Sequence, residues 1–344
     1  MSSDTRAAVE EQQPLLQVCG LVKHFPLTQG IVLKRRIGSV QAVDGVSFEL
    51  RRGETLGLVG ESGCGKSTVA RTLLRLEEPT AGSAVYHGTD IFALGRRQLR
   101  ALRREIQIVF QDPYASLNPR MTVGDIVGEA FAIHPDLVPK GQRAERIADL
   151  LTRVGLSPDD RNRYPHQLSG GQRQRVGIAR ALAPGPGLVI CDEPVSALDV
   201  SVQAQVLNLL TDIRASSGLS YLFISHDLSV VRHLCDRIAV MYLGRIVEIG
   251  TSDDICERPT HPYTQALLSA VPIPDPDIEA RRERILLTGD VPSPAAPPSG
   301  CRFRTRCWKA QDLCAEEYPA LIDRFGHGHP SACHFADIRQ TPNR

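Results

Sequence analysis

Hydrophobic positions in the first fifty residues follow a strand-like rhythm, in two stretches, LLQVCGLVKHF (15–25) and QAVDGVSFEL (41–50), parted by a basic insert, LTQGIVLKRRIGS (27–39). TLGLVG (55–60) predicts a short apolar strand running into a glycine-rich loop. From Lys66 to Leu76, Val69, Leu73 and Leu76 share one face of a predicted helix. EIQIVF (105–110) alternates as a strand does and runs into a Pro/Asn loop. Helices are expected over 122–132, 142–154 and 171–182; in the second, Ile147, Leu150, Leu151 and Val154 recur at helical spacing. Then come strand 188–191, a helix with Val202, Val206, Leu209, Leu210 and Ile213 on one face, strand 220–224, helix 228–234 and strand 237–242. Such alternation predicts an α/β core with a largely parallel sheet. It stops near Thr251. A helical segment, 263–271, leads into PIPDPD, and VPSPAAPPS (291–299) is a second proline-rich linker in which helix and central strand are excluded. No repeat of solenoid length is evident.

Composition narrows the class. The 344 residues are 42% hydrophobic and 23% charged, a folded rather than disordered balance. Forty basic and 39 acidic side chains leave a net charge of +1, which argues against a nucleic-acid coat. No apolar run approaches the roughly 18–20 residues that span a bilayer. The start, MSSDTRAAVEEQQP, is polar and lacks an apolar signal segment. The expectation is a cytosolic chain whose membrane role, if any, needs a separate partner.

The segment Gly60-Glu61-Ser62-Gly63-Cys64-Gly65-Lys66-Ser67, with Thr68 next, fits G-x-x-x-x-G-K-[ST]. Glycines let backbone N–H groups curl around phosphate oxygens, and the following helix aims its positive end at the same place. Lys66 is then the reach to the terminal phosphates and Ser67 a magnesium ligand. Cys64 lies within this loop, where helix-terminal amides are expected to favour its thiolate. The apolar strand LVICDEP (188–194) ends in two acids. Asp192 is a candidate for magnesium and Glu193 for polarising an attacking water; the ordinary alternative is an acid capping a helix. A second glycine pair opens the helix at Leu168-Ser169-Gly170-Gly171-Gln172, with Ser169 as cap and bare amides offering another anion site.

With LSGGQ on the page, the chain resembles the ATPase subunits of ATP-binding-cassette transporters, over roughly residues 15–250. The resemblance implies a P-loop ATPase core with an antiparallel β subdomain and a helical subdomain at about 112–182. It implies an ATPase domain at 15–255 and a Cys-rich C-terminal extension at 256–344. It makes Phe25, in a Phe-Pro loop, the adenine-stacking aromatic. Gln111 becomes the glutamine that senses the γ-phosphate and meets magnesium, Ser196–Asp199 the D-loop, and His226 the switch histidine. Out of that context Phe25 reads as a core aromatic, Gln111 as a strand-end polar residue and His226 as a helix-start residue. ATP and Mg2+ are the implied ligands. Two subunits meet head to tail, the phosphate loop of each facing LSGGQ of the other, so ATP favours the closed dimer and hydrolysis releases it.

QDPYASLNP (111–119), the insert 27–39, DEPVSALDV (192–200) and HPYTQALL (261–268) resemble the oligopeptide/dipeptide importer ATPases, in particular the second of their two ATPase subunits. The resemblance implies a homologous ATPase partner (a second copy being the alternative), two membrane-spanning permeases, an extracytoplasmic solute-binding protein, and no nucleic acid. It places the chain at the cytoplasmic face of the inner membrane, with the segment after Gln111, through about Val127, meeting the permease; Ile126 and Phe131 read equally well as core. Nickel or glutathione remain open as cargo. A soluble ATPase acting on nucleic acid or ribosomes is the rival reading, but no long coiled coil, inserted zinc module or second cassette is present.

Nine cysteines are present, four of them, Cys301, Cys307, Cys314 and Cys333, in the last 44 residues. The spacing is neither that of a zinc ribbon nor that of a ferredoxin, and four thiolates suit zinc or a [4Fe–4S] cluster. The resemblance favours the cluster, since some of these ATPases carry one here. Arg302, Arg304 and Arg306 are then expected to offset its charge, with His327, His329 and His334 as rival ligands or loop residues.

Overall fold

A computed structural model of the chain describes residues 13–29, 35–272 and 284–339. The polar start (1–12), the middle of the basic insert (30–34), most of the PIPDPD linker (273–283) and 340–344 lie outside the described residues. In chain order the elements are β1 (Leu16–Gln29), β2 (Arg35–Leu50), β3 (Thr55–Val59), α1 (Lys66–Leu73), β4 (Ala81–Tyr86), β5 (Thr89–Asp90), α2 (Arg96–Glu105) and β6 (Ile106–Val109). Then follow α3 (Val123–Ile133), α4 (Arg143–Arg153), α5 (Gly170–Leu182), β7 (Leu188–Asp192), α6 (Val200–Ser217) and β8 (Ser220–Ser225). The described chain continues with α7 (Leu228–Leu234), β9 (Arg237–Tyr242), β10 (Arg245–Thr251), α8 (Ser252–Glu257) and α9 (Pro262–Ala270). It divides into two compact units, Met1–Leu50 with Thr55–Ala93 and Ser225–Arg344, and Arg51–Glu54 with Leu94–Ile224.

The first unit contains an antiparallel sheet in the order β2-β1-β4-β5. Leu16 faces Leu50 and Gln29 faces Arg35, so strand pairing runs into both flanks of the basic insert. β3 is buried at all five positions, which is why TLGLV carries no polar face. It runs parallel to β9, Leu56 beside Arg237 and Val59 beside Val240, and β9 pairs antiparallel with β10. Residues 284–339 are mostly irregular and lie along β10, where Ala332 donates to the Val247 carbonyl at 2.7 Å and Ile249 to that of Pro330 at 3.1 Å. The proline-rich stretch 291–299 holds no helix or strand.

The second unit holds the parallel strands β6, β7 and β8, Ile106 beside Leu188 and Leu188 beside Ser220. Helices α3, α4 and α5 pack through Ile126, Val127, Phe131, Leu150, Leu151 and Val176, all buried, so Ile126 and Phe131 are core. Thr122 starts α3 with a capping box: its hydroxyl accepts from the Asp125 N–H, and the Asp125 carboxylate accepts from the Thr122 N–H, both at 3.2 Å.

One expectation needs correction. The first helix ends at Leu73 rather than Leu76; Arg75 turns to φ 48°, and Leu76 is 51% exposed instead of lying on the buried face. Helix α2 is an addition to the sequence reading: its apolar side is narrow, Leu99 and Leu102 at i, i+3, both only half-buried on a helix otherwise rich in arginine. No helix among the described residues is long and apolar enough to cross a membrane.

Candidate functional site

The phosphate loop leaves the end of β3 and enters α1 in the first unit. Two of its glycines are fixed by close approach. Gly65 has φ 109°, and a Cβ there would fall on the Ala42 carbonyl oxygen; one at Gly60 would fall on that of Met241. Lys66 is buried, and its ammonium donates to the loop's own carbonyls, Gly60 at 2.8 Å and Glu61 at 3.1 Å. The loop is thus curled around the cation that is expected to meet phosphate. Ser62 and Gly63 are exposed, and Ser67 and Thr68 are half-buried at the helix start.

Cys64 departs from expectation. Its thiol is buried, and burial pushes its pKa up against the opposing charge of Lys66, so the thiolate is disfavoured. Phe25 lies within β1, opposite Val40, and not in a loop; it is half-buried with the Lys23 ammonium 4.6 Å from its ring centre. His226 is exposed just beyond β8, and the helix-start role falls to Asp227, whose carboxylate accepts from the Ser229 N–H at 2.8 Å.

In the second unit β7 delivers the acid pair. Asp192 is buried, and Glu193 takes a left-handed backbone, φ 47°, which a non-glycine residue adopts only under local constraint. Its N–H donates to the Ile224 carbonyl at 3.0 Å. The Gln111 side-chain amide donates to its carboxylate at 2.9 Å. Neither acid caps a helix; Asp199 holds the N-cap of α6. Gln203 braces the turn between them, its amide donating to the carbonyls of Val195 at 3.0 Å and Leu198 at 2.9 Å.

At LSGGQ, Ser169 caps α5: its hydroxyl accepts from the Gln172 N–H at 3.3 Å, and the Gln172 side chain accepts from the Ser169 N–H at 3.0 Å. A Cβ at Gly171 would stand 2.5 Å from Val202 Cγ1, so that glycine also serves the approach of α5 to α6. Two arginines of α5 hold the segment after Gln111. Arg173 lies 3.9 Å over the Tyr114 ring, and Arg180 donates to the Ser116 carbonyl at 2.6 Å.

The C-terminal extension supplies contacts that no motif announced. Arg302 is buried against Asp44 and also donates to the Leu243 carbonyl. Burial alone would raise the Asp44 carboxyl, but the hydrogen bond from Arg245 and the charges of Arg302 and Arg245 outweigh it and hold the group below the usual carboxylate range. Arg306 meets Glu61, and Arg304 donates to the Ser299 carbonyl at 3.0 Å. Arg302 and Arg306, read from the sequence as offsetting a cluster's charge, are thus each paired with a carboxylate. His329 lies 2.8 Å from the buried Glu248, and His334 meets the Glu317 carbonyl at 3.1 Å, so neither histidine joins the thiols. Burial first, then the charges of neighbouring thiols, raise Cys301, Cys307 and Cys333 to about 11. Among the described residues no three His, Cys, Asp or Glu side chains form a group that would hold a metal ion.

Residues 43–196 match the family described as ABC transporter, and residues 247–314 match the oligopeptide/dipeptide transporter C-terminal region. The putative oligopeptide transport ATP-binding protein YkfD of Bacillus subtilis is 54% identical over 331 residues, covering 96% of this chain and 98% of its own. The oligopeptide transport ATP-binding protein AppF of the same organism is 52% identical over 324 residues, covering 94% and 98%. Among solved structures, the dimeric post-hydrolysis state of the ATP-binding cassette MJ0796 with ADP and Pi matches with a TM-score of 0.61 at 27% identity, covering 69% of this chain and 98% of that one. The cbiO1 structure from Clostridium perfringens matches with a TM-score of 0.61 at 26% identity, covering 71% and 91%.

Proposed function

The chain belongs to the ATP-binding subunits of ABC transporters, in the oligopeptide/dipeptide branch, and on that premise we propose that it hydrolyses ATP to drive peptide import through a partner permease. The observation that carries the chemistry is the Glu193 carboxylate, held at a strand end in a constrained backbone and met by Gln111. Glu193 takes the role of polarising the attacking water. Lys66 and the amides of the Gly60–Thr68 stretch take the phosphates, Phe25 the adenine and His226 the γ-phosphate. Ser67, Asp192 and Gln111 are the groups for magnesium, which when bound neutralises charge on the transferring phosphoryl. Ser169, Gly170, Gly171, Gln172 and Asp199 serve the nucleotide of a facing subunit, and the dimeric cassette MJ0796 supports that arrangement.

The facing subunit is a homologous ATPase or a second copy, and two permeases and an extracytoplasmic binding protein complete the assembly, peripheral to the cytoplasmic face of the inner membrane. The chain parts into an ATPase domain at 15–255 and an extension at 256–344, a division supported by the two family matches at 43–196 and 247–314. The second match also speaks against a soluble nucleic-acid ATPase. For Cys301, Cys307, Cys314 and Cys333 the proposed occupant is a [4Fe–4S] cluster, with zinc as the alternative. The mutual effect of the thiols on their pKa supports proximity, whereas they form no ready ligand group, and no catalytic step is derived through them. Iron, sulfide and zinc assays on anaerobically purified protein decide it.

The function is tested by following ATP turnover per chain against protein concentration, alone and with the co-expressed partner ATPase. Turnover is expected to rise as dimers form. Strong, concentration-independent turnover by a proven monomer overturns the shared-nucleotide scheme.

A further inference from the structure

An acid is an unexpected residue beside a phosphate cradle, because its charge repels the ligand. Glu61 is that acid, the second residue of the loop, and each of its polar groups is engaged. Its N–H donates to the Tyr263 hydroxyl at 2.9 Å. Its carbonyl accepts from Lys66 at 3.1 Å. Its carboxylate oxygens accept from one Arg306 nitrogen at 3.1 and 2.9 Å. Tyr263 and Arg306 lie 202 and 245 residues further along the chain, in α9 and in the C-terminal extension.

Arg306 is not a swinging surface arginine. Its side chain is 10% exposed. Three residues before it, Phe303 is buried among aromatic rings, 5.2 Å from Tyr242 and 5.4 Å from Tyr263. One residue earlier again, Arg302 is tied to Asp44. The segment is therefore pinned before Arg306 reaches the loop, and little side-chain freedom remains to be lost when the pair forms.

We propose that Arg306 is a positioning residue for the nucleotide, acting through Glu61. It cancels the one acidic charge in the phosphate loop and, with Tyr263, fixes the residue at which the loop begins to curl. The extension thereby sets how well the loop receives a triphosphate. This rests on the reading that the loop binds phosphate.

The test uses the full-length chain and a fluorescent ATP analogue with magnesium, with thermal midpoints recorded for every variant. R306A is expected to bind about tenfold more weakly, the scale of one lost charge-assisted hydrogen bond. Adding E61Q to R306A is expected to restore most of that affinity, since the uncovered acid is gone; R306K retains an intermediate value. A merely structural role predicts no rescue by E61Q. Wild-type affinity in R306A, or additive losses in the double variant, overturn the proposal. Hydrogen exchange at the amides of residues 61–65 gives a readout that needs no nucleotide, and R306A is expected to speed it. Should the wild-type chain bind no nucleotide, the phosphate reading fails by itself. Faster exchange in R306A then still supports the clamp, and unchanged exchange overturns it.

Discussion

Gln111 and Glu193 are joined by a 2.9 Å hydrogen bond from amide to carboxylate across 82 residues of sequence. The amide orients the carboxylate. E193Q removes the base while preserving shape, so turnover is expected to fall at least about 100-fold with nucleotide binding retained. Q111A is expected to lose less, about tenfold, because the carboxylate persists but is less well oriented. Single-turnover hydrolysis and analogue binding, measured on the same preparations, check both. Wild-type turnover in E193Q would remove Glu193 from the chemistry.

The approach of α5 to α6 at Gly171 leaves no room for a methyl group. G171A places one 2.5 Å from Val202 Cγ1, and a valine branch has little freedom to yield. Overpacking of about 1–3 kcal/mol is expected in denaturant titrations. V202A in the same chain should recover most of it. If G171A is as stable as the parent, the contact is slack.

His261 ties stability to pH. Burial pulls its pKa down from 6.5 to about 4, against the charge of Glu248. Between those values the unfolded chain binds a proton that the folded chain refuses. The contribution of His261 to stability is therefore complete above about pH 6.5, declines as pH falls, and levels off below about 4, a total of about 3 kcal/mol. In the folded chain its Nδ1 accepts from the Tyr263 N–H at 3.0 Å, a bond an asparagine oxygen can replace. H261N should flatten the unfolding free energy across that window, read by urea melts at several pH values.

Thiol chemistry should separate Cys19 from Cys64. Cys19 is exposed, whereas Cys64 is buried with a raised pKa. At pH 7 a maleimide is expected to label Cys19 first and leave nucleotide binding unchanged; loss of binding should follow only the slow labelling of Cys64. Peptide mapping against time resolves the order. Rapid labelling of Cys64 would mean that the loop opens readily.

What was legible in the sequence was whatever has a period or a motif. Strands β7, β8 and β9 were placed to within a residue or so, because central strands buried on both faces read as continuous apolar runs. Gln111, Glu193 and Ser169 stood out by order and spacing. The contacts of Arg302, Arg306, Tyr263 and Glu248 did not, since each works through a partner more than ten residues away and leaves no local periodicity. Phe25 was misplaced for a related reason. The following proline suggested a loop, yet pairing with β2 carries the strand to Gln29. Cys64 reads wrongly because helix-terminal amides argue for its thiolate, whereas burial, which the sequence does not display, outweighs them.

Glu248 is enclosed completely on β10, and its carboxylate accepts from the N–H of Thr260 at 2.6 Å and of His261 at 3.2 Å, with His329 beside it at 2.8 Å. A premature stop codon anywhere between 301 and 328 would strip the imidazole from that acid and the aligned backbone from β10. Such truncated products are expected to be degraded by cellular proteases rather than to accumulate as slow transporters, so nonsense lesions in the tail should score as null alleles with little protein on an immunoblot.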